Sequence, residues 1–266
     1  MKFVVLFFLL FSSILQGQEL SLSNTLPLNA DRFIGVDQYN HLYFLKNRIL
    51  HKQGTDGNFV FNDLQLGRIT SVDIINPLKI VVFFQDTNTV VLLDNKLNEI
   101  QRINFNMTSP FLNIGAATTA GNNSLWIFNL DSQQLELYNY TQRTKKTVSQ
   151  PFSGQLISMV SNFNYCFALT PNKLRAYNVY GSFLNEIQVS NYDAVVQENA
   201  NIVLRKDNTL HLIVDFSLQK SKKLSEPIPL NLPEMNIKDL HLSKELLYIY
   251  DGKILHTFKL TLPNKN

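Results

Sequence analysis

The 266-residue chain has one cysteine, one tryptophan and only ten glycines. A single Cys excludes a disulfide within the molecule. It lies in Tyr165-Cys166-Phe167-Ala168-Leu169, an apolar strand-like run, so a buried structural thiol is expected rather than a reactive one. No G-x-G-x-x-G or G-x-S-x-G arrangement occurs, which removes the phosphate loop and the nucleophile elbow. The alternating acids of a Ca²⁺ loop are also missing. The carboxylates are scattered, without a close pair for shared acid/base work. Five histidines, His41, His51, His211, His241 and His256, show no zinc-ligand spacing with Cys or carboxylate. No cofactor and no metal are therefore expected, and the residues give an enzyme reading no positive support.

Charge of one sign is also scarce. The formal net charge is +3 and charged residues make up 17%, too little to argue for nucleic acid. Long apolar runs are limited to one, Phe3 to Phe11. Lys2 precedes it and Ser12, Ser13, Gln16 and Gly17 follow, the pattern of a secretory signal peptide. Residues 1–18 are read as that leader and residues 19–266 as one soluble domain. The run is too short to span a bilayer, and the exit has no Cys for lipid attachment.

What the chain does have is a repeat. Six times a short apolar run stops at Asn47, Asp86, Asp131, Asn172, Asp207 or Asp251, and a second run follows. The spacing is roughly 35–45 residues, that of a four-stranded propeller blade. The Asp and Asn themselves are turn chemistry and need bind nothing. Blade two reads Ile69 to Ile74, Lys79 to Phe84, Thr89 to Leu93 and Glu99 to Phe105. Its innermost strands are expected to be buried on both faces and its outer strand exposed. The sixth unit has three strands, while Glu19 to Leu28 forms an extra alternating segment at the start. The expectation is all-β: a six-bladed β-propeller closed by the N-terminal strand completing the last blade, or five blades if the weakly patterned fifth unit is not one. Leu240 to Tyr250, the one helical alternative, lacks helical periodicity.

Two basic clusters, Arg143 to Lys146 and Lys220 to Lys223, fall on predicted outer strands, where Lys protects an exposed edge. Glycosylation-type sequons stand at Asn106, Asn122 and Asn139, and they carry no weight if the chain is bacterial. The links between blades are more informative, because all of them cross one face. They present Pro110, Phe111, Pro151, Phe152, Pro227, Pro229 and Pro233, rigid and apolar enough for protein contact. The competing reading tucks Phe111 and Phe152 into the core.

Phe33-Ile34-Gly35-Val36-Asp37 with Asn40-His41-Leu42-Tyr43-Phe44 resembles an NHL-type propeller repeat. The segments Asp31 to Asp37, Leu64 to Asp73, Asn76-Pro77-Leu78-Lys79 and Ser161 to Cys166 resemble a small exported propeller family of Bacteroidetes, linked to the plug of the type 9 secretion translocon. That resemblance implies a soluble periplasmic subunit at the inner mouth of an outer-membrane barrel, and it assigns no individual residue. The expected role is a non-catalytic, protein-binding propeller at such a complex. Two other classes stay open: a small-molecule sensor using the central channel, and a hydrolase or lyase on the same scaffold.

Overall fold

Six four-stranded antiparallel sheets follow one another in chain order around a central channel, and their inner strands close into a ring. The computed structural model describes residues 20–121, 123–214, 216 and 226–261. The leader segment and the Lys220 to Lys223 cluster lie outside the described residues. Blade 1 is Arg32–Val36, Leu42–Lys46, Ile49–Gly54 and Gly57–Phe61; blade 2 is Ser71–Asp73, Ile80–Phe84, Thr89–Leu93 and Glu99–Asn104. Blade 3 is Ile114–Thr119, Ser124–Asn129, Gln134–Asn139 and Thr144–Thr147. Blade 4 is Ser158–Ser161, Tyr165–Leu169, Lys173–Asn178 and Phe183–Gln188. Blade 5 is Ala194–Glu198, Asn201–Lys206, Thr209–Ile213 and Ile228–Leu230, a true blade despite its weak pattern.

Blade 6 is built from both ends of the described chain. Asp239–Ser243, Leu246–Tyr250 and Ile254–Leu260 supply three strands, and Leu20–Pro27 pairs antiparallel with the third, from Leu20 opposite Leu260 to Pro27 opposite Ile254. The Leu240 to Tyr250 stretch is therefore two strands. Completing the blade covers an edge that would otherwise offer unpaired backbone groups.

The six Asp/Asn positions all fall in the turn between a blade's second and third strands. Asn47 and Asp207 themselves take left-handed backbone, with φ of 51° and 52°, a conformation Asn and Asp tolerate better than most residues. Asp251 instead accepts the Lys253 and Ile254 N–H groups, each at 2.7 Å.

Burial corrects one expectation. The strands buried on both faces are the second and third, not the innermost: Ile80–Phe84 and Thr89–Leu93 are buried throughout, while Ser71–Asp73 is half-buried. Middle strands are covered by a neighbouring blade on each side, whereas the inner strand turns one edge to the channel. Six apolar clusters result, one at each junction between blades. Each fully buried large side chain contributes roughly 1.5–3 kcal/mol, so six such seams replace the missing disulfides. Cys166 lies in the seam between blades 3 and 4, fully buried, with its thiol pKa pushed up by that burial.

Candidate functional site

Chain direction sorts the connections onto two faces. The links 28–31, 62–70, 105–113, 148–157, 189–193 and 231–238 share one face with the turns between second and third strands. Call this the link face. The turns between first and second strands, and between third and fourth, lie on the opposite face.

The channel is held together by polar contacts from blade to blade. Asp73 accepts the Thr118 hydroxyl at 2.6 Å and the Thr119 N–H at 2.7 Å. Ser161 donates to the Thr119 carbonyl at 2.6 Å, and Gln197 Nε2 donates to the Ser161 carbonyl at 2.8 Å. Glu198 accepts the N–H groups of Lys244 and Glu245. His241 Nε2 meets the Val36 carbonyl at 3.0 Å, and Arg32 Nη1 donates to the Thr70 carbonyl at 2.9 Å. Every junction is thus crossed by a side-chain hydrogen bond near the axis. Such bonds are worth about 1 kcal/mol each when made and more when one partner is stranded.

Within this belt lies a cavity of about 330 Å³ lined by inner-strand residues from all six blades. Asp239 sits at its link-face end, accepting the Phe33 N–H at 2.9 Å. Burial raises its carboxyl pKa, opposed by that hydrogen bond and by the charges of Arg32, Lys238 and Arg205. His241 lines the cavity deeper down, and burial lowers its pKa from 6.5 to about 4, against the Val36 hydrogen bond and the charges of Asp73 and Asp37. Its ring is therefore neutral at pH 7.

The other histidines have structural partners. His41 is bracketed by two carboxylates, Asp37 at Nδ1 and Asp56 at Nε2, each 2.8 Å away. Asp37 also accepts the Tyr43 hydroxyl at 3.0 Å. His51 stacks on Phe44, His211 meets Tyr192 edge-on, and His256 bonds Asp251. Among the described residues, no three metal-capable side chains converge, and no helix is long and apolar enough to cross a membrane.

The link residues singled out from sequence do not form one patch. Pro110 and Phe111 are exposed on the link after blade 2, Phe111 at 56%. Pro151 is exposed after blade 3 and Pro233 after blade 5. Phe152 is buried at 6%, packed against Phe128 with the Arg175 guanidinium 4.6 Å from its ring. It is a wedge between blades 3 and 4, not a contact point. The stretch Glu226 to Asn236 is only partly a link: Pro229 belongs to the outer strand of blade 5, opposite His211, and Pro227 immediately precedes that strand. An edge strand tolerates Pro because its outward N–H needs no partner.

Two link residues escaped the sequence reading. Leu64 is 80% exposed and Met107 83%. They flank the blade 2 turn from either side: the Thr87 hydroxyl donates to the Leu66 carbonyl, and Asn106 Nδ2 donates to the Thr87 carbonyl. Buried Leu66, Phe105 and Leu112 peg both links down. Leu64, Met107 and Phe111 thus make a discontinuous apolar sector on a fixed base, divided by the exposed polar turn at Gln85 and Asp86. Below it, a perimeter groove of about 680 Å³ runs between the outer parts of blades 2 and 3, lined by Pro110, Tyr138 and Tyr140. Two of its cations are already neutralised, Lys145 by Glu136 at 2.6 Å and Arg102 by Glu99 and Asp63. A third cation, Arg143, also lines the groove, whose walls are shared between polar and apolar side chains. The opposite face also exposes Tyr39, Leu78, Phe163 and Tyr180, but they are spread over blades 1, 2 and 4.

These features define a six-bladed β-propeller whose channel is crossed by hydrogen bonds between blades and whose link face carries one apolar sector. No family model matches the chain, and no curated protein matches it by sequence. Solved structures do share its fold. BamB from Moraxella catarrhalis is 9% identical, with a TM-score of 0.52 over 91% of this chain and 100% of that chain. A catalytically inactive virginiamycin B lyase from Staphylococcus aureus, solved with quinupristin, is 10% identical, with 0.56 over 90% and 99%. A chain of the mitotic checkpoint complex is 10% identical, with 0.57 over 97% and 99%. At these identities the likeness carries the architecture alone. That architecture serves a lyase as well as members of assemblies, so it selects neither role.

Proposed function

We propose that this chain is an exported, non-catalytic propeller that docks onto a protein partner through the apolar sector around blade 2. The observation that carries this reading is the trio Leu64, Met107 and Phe111, exposed on adjacent, well-pegged links. Apolar side chains held on a rigid base bind without a large ordering cost, and a few such anchors dominate an interface. The groove beside them takes an extended segment of the same partner.

The partner class and compartment come from the chain's ends and its resemblance. The leader-like residues 1–18 support a periplasmic location, and the likeness to an exported Bacteroidetes propeller family supports an outer-membrane barrel of a secretion complex as the partner. On this reading the disc sits at the barrel's inner mouth and plugs it.

Co-purification from detergent-solubilised membranes of the native host tests the proposal. The wild-type chain should bring down an outer-membrane barrel protein. The Leu64→Ser/Met107→Ser/Phe111→Ser variant should lose it while keeping its melting temperature, and Phe111→Ser alone should weaken binding by roughly tenfold. Recovery of the wild type only as a free monomer, or capture undiminished by the triple change, contradicts the reading.

A further inference from the structure

The link-face mouth of the channel gathers three cations around one carboxylate. Arg32, Lys238 and Arg205 all lie close enough to Asp239 to act on its ionisation, and all four residues line the cavity. The Arg205 guanidinium is fixed in place: Nε donates to Asp193 at 2.6 Å, and Nη1 donates to the carbonyls of Lys238 at 2.8 Å and Ile237 at 3.3 Å. Among the described residues its Nη2 has no partner. Arg32 likewise spends Nη1 on the Thr70 carbonyl. The Lys238 ammonium lies 5.6 Å from the centre of the Tyr250 ring. Asp31, next in sequence to Arg32, is turned away to the Asn47 N–H. Asp239 and Asp193 are then the two nearby counter-charges to three cations, and one positive charge at the mouth is left over.

Deeper in the cavity the chemistry changes. Asp73 is engaged by the Thr118 hydroxyl and by the N–H groups of Thr119 and Ile75. His241 is different: the Val36 carbonyl can only accept, so Nε2 carries the ring proton and Nδ1 presents a lone pair. Nδ1 packs directly against Gly35, where a Cβ would come within 2.6 Å; only glycine lets the ring sit this close to the Val36 carbonyl. Val72, Met159 and Leu240 contribute apolar wall between the two regions. Asp239 and His241 are two residues apart on one strand, so they share a face and sit about 7 Å apart.

From this geometry we infer that the channel binds a small carboxylate, with its anionic group at Arg32, Arg205 and Lys238 and its apolar body against the walls. A cavity of about 330 Å³ stands at the small end of the range for ligand sites, about 300–1,000 Å³. A carboxylate suits the single surplus charge better than a phosphate dianion, which Asp239 and Asp193 would repel. The inference is independent of the docking sector, which lies on the links outside the channel.

The probe is 4-hydroxybenzoate, whose acid and hydroxyl sit at opposite ends of a flat apolar ring. Methyl NMR of the purified protein separates the sites, because Met159 lines the cavity while Met107 is on the outer link and Met235 near the rim. The expected result is a saturable shift of the Met159 methyl alone at sub-millimolar to millimolar probe. 4-Hydroxybenzamide and inorganic phosphate should bind at least tenfold more weakly. Lys238→Gln should weaken 4-hydroxybenzoate about five- to tenfold without changing the far-ultraviolet circular dichroism. The inference is overturned by an unmoved Met159 methyl, by the amide or phosphate binding as well as the acid, or by affinity indifferent to Lys238→Gln.

Discussion

Blades 2 and 6 reach the same four-stranded form by different physics. Blade 2 is one continuous stretch of chain, and its two middle strands are buried at every position and, Thr89 apart, apolar. Short turns supply the register, so burial need only supply energy. Blade 6 joins residues more than 200 apart, and no turn sets the register between Leu20–Pro27 and Ile254–Leu260. There the chain uses directional contacts. The Tyr250 hydroxyl lies 3.1, 2.9 and 2.8 Å from the carbonyls of Leu28, Ala30 and Gly252, and accepts the Ala30 N–H at 3.3 Å. The Leu28 N–H donates to the Lys253 carbonyl at 2.8 Å. Where the chain is discontinuous, hydrogen bonds specify what connectivity specifies elsewhere. A buried hydroxyl serving several backbone groups is costly to remove, because each loses a partner with no water to replace it.

The largest test of this contrast removes the closing strand. Deleting residues 20–27 exposes the edge of Ile254–Leu260 and opens the ring; the product should aggregate or melt at least 15 °C lower by calorimetry. In blade 2 the sensitive change is to a packed side chain: Phe83→Ala should cost about 3–5 kcal/mol in urea unfolding. Tyr250→Phe keeps the ring and its packing but removes the hydroxyl, and should cost about 1–3 kcal/mol, with hydrogen exchange accelerated first at Leu28–Ala30. Within the middle strands of blade 2 the one polar side chain is Thr89, whose hydroxyl donates only to the Thr87 carbonyl two residues away.

The smallest effect is a pH dependence at the blade 6 channel wall. Burial holds His241 at about 4 when folded, against 6.5 ordinarily. The unfolded chain therefore takes up a proton that the folded chain refuses between those values. Stability is fully present above about pH 6.5, falls as pH drops towards 4, and levels off below it. The change amounts to at most about 3 kcal/mol, less to the extent that the ring is open to the channel. His241→Gln should flatten that part of the profile in unfolding experiments at pH 4.5 and 7.

Sequence carried the architecture further than the site. The turn residues Asn47 to Asp251 marked all six blades, and the surplus strand at the start foretold closure, because turns and alternation are local properties. Blade 5 read weakly because its outer strand, Ile228–Leu230, is three residues long and contains a proline. The channel was hidden for a different reason. Asp73, Thr119, Ser161, Glu198 and Ser243 each end an inner strand, and a polar residue before a turn looks like ordinary turn chemistry. Only closure of the ring turns those ends towards one another. Phe111 and Phe152 each follow a proline in a link; the neighbouring blade, not the local sequence, buries one and exposes the other.

The most direct measurement of ring closure is native-state hydrogen exchange resolved by residue. Amides of Leu20–Pro27 should be protected and open with the same free energy as those of Ile254–Leu260, both rising and falling together in Tyr250→Phe. Exchange of residues 20–27 at unprotected rates, while the rest of blade 6 stays closed, would contradict the account.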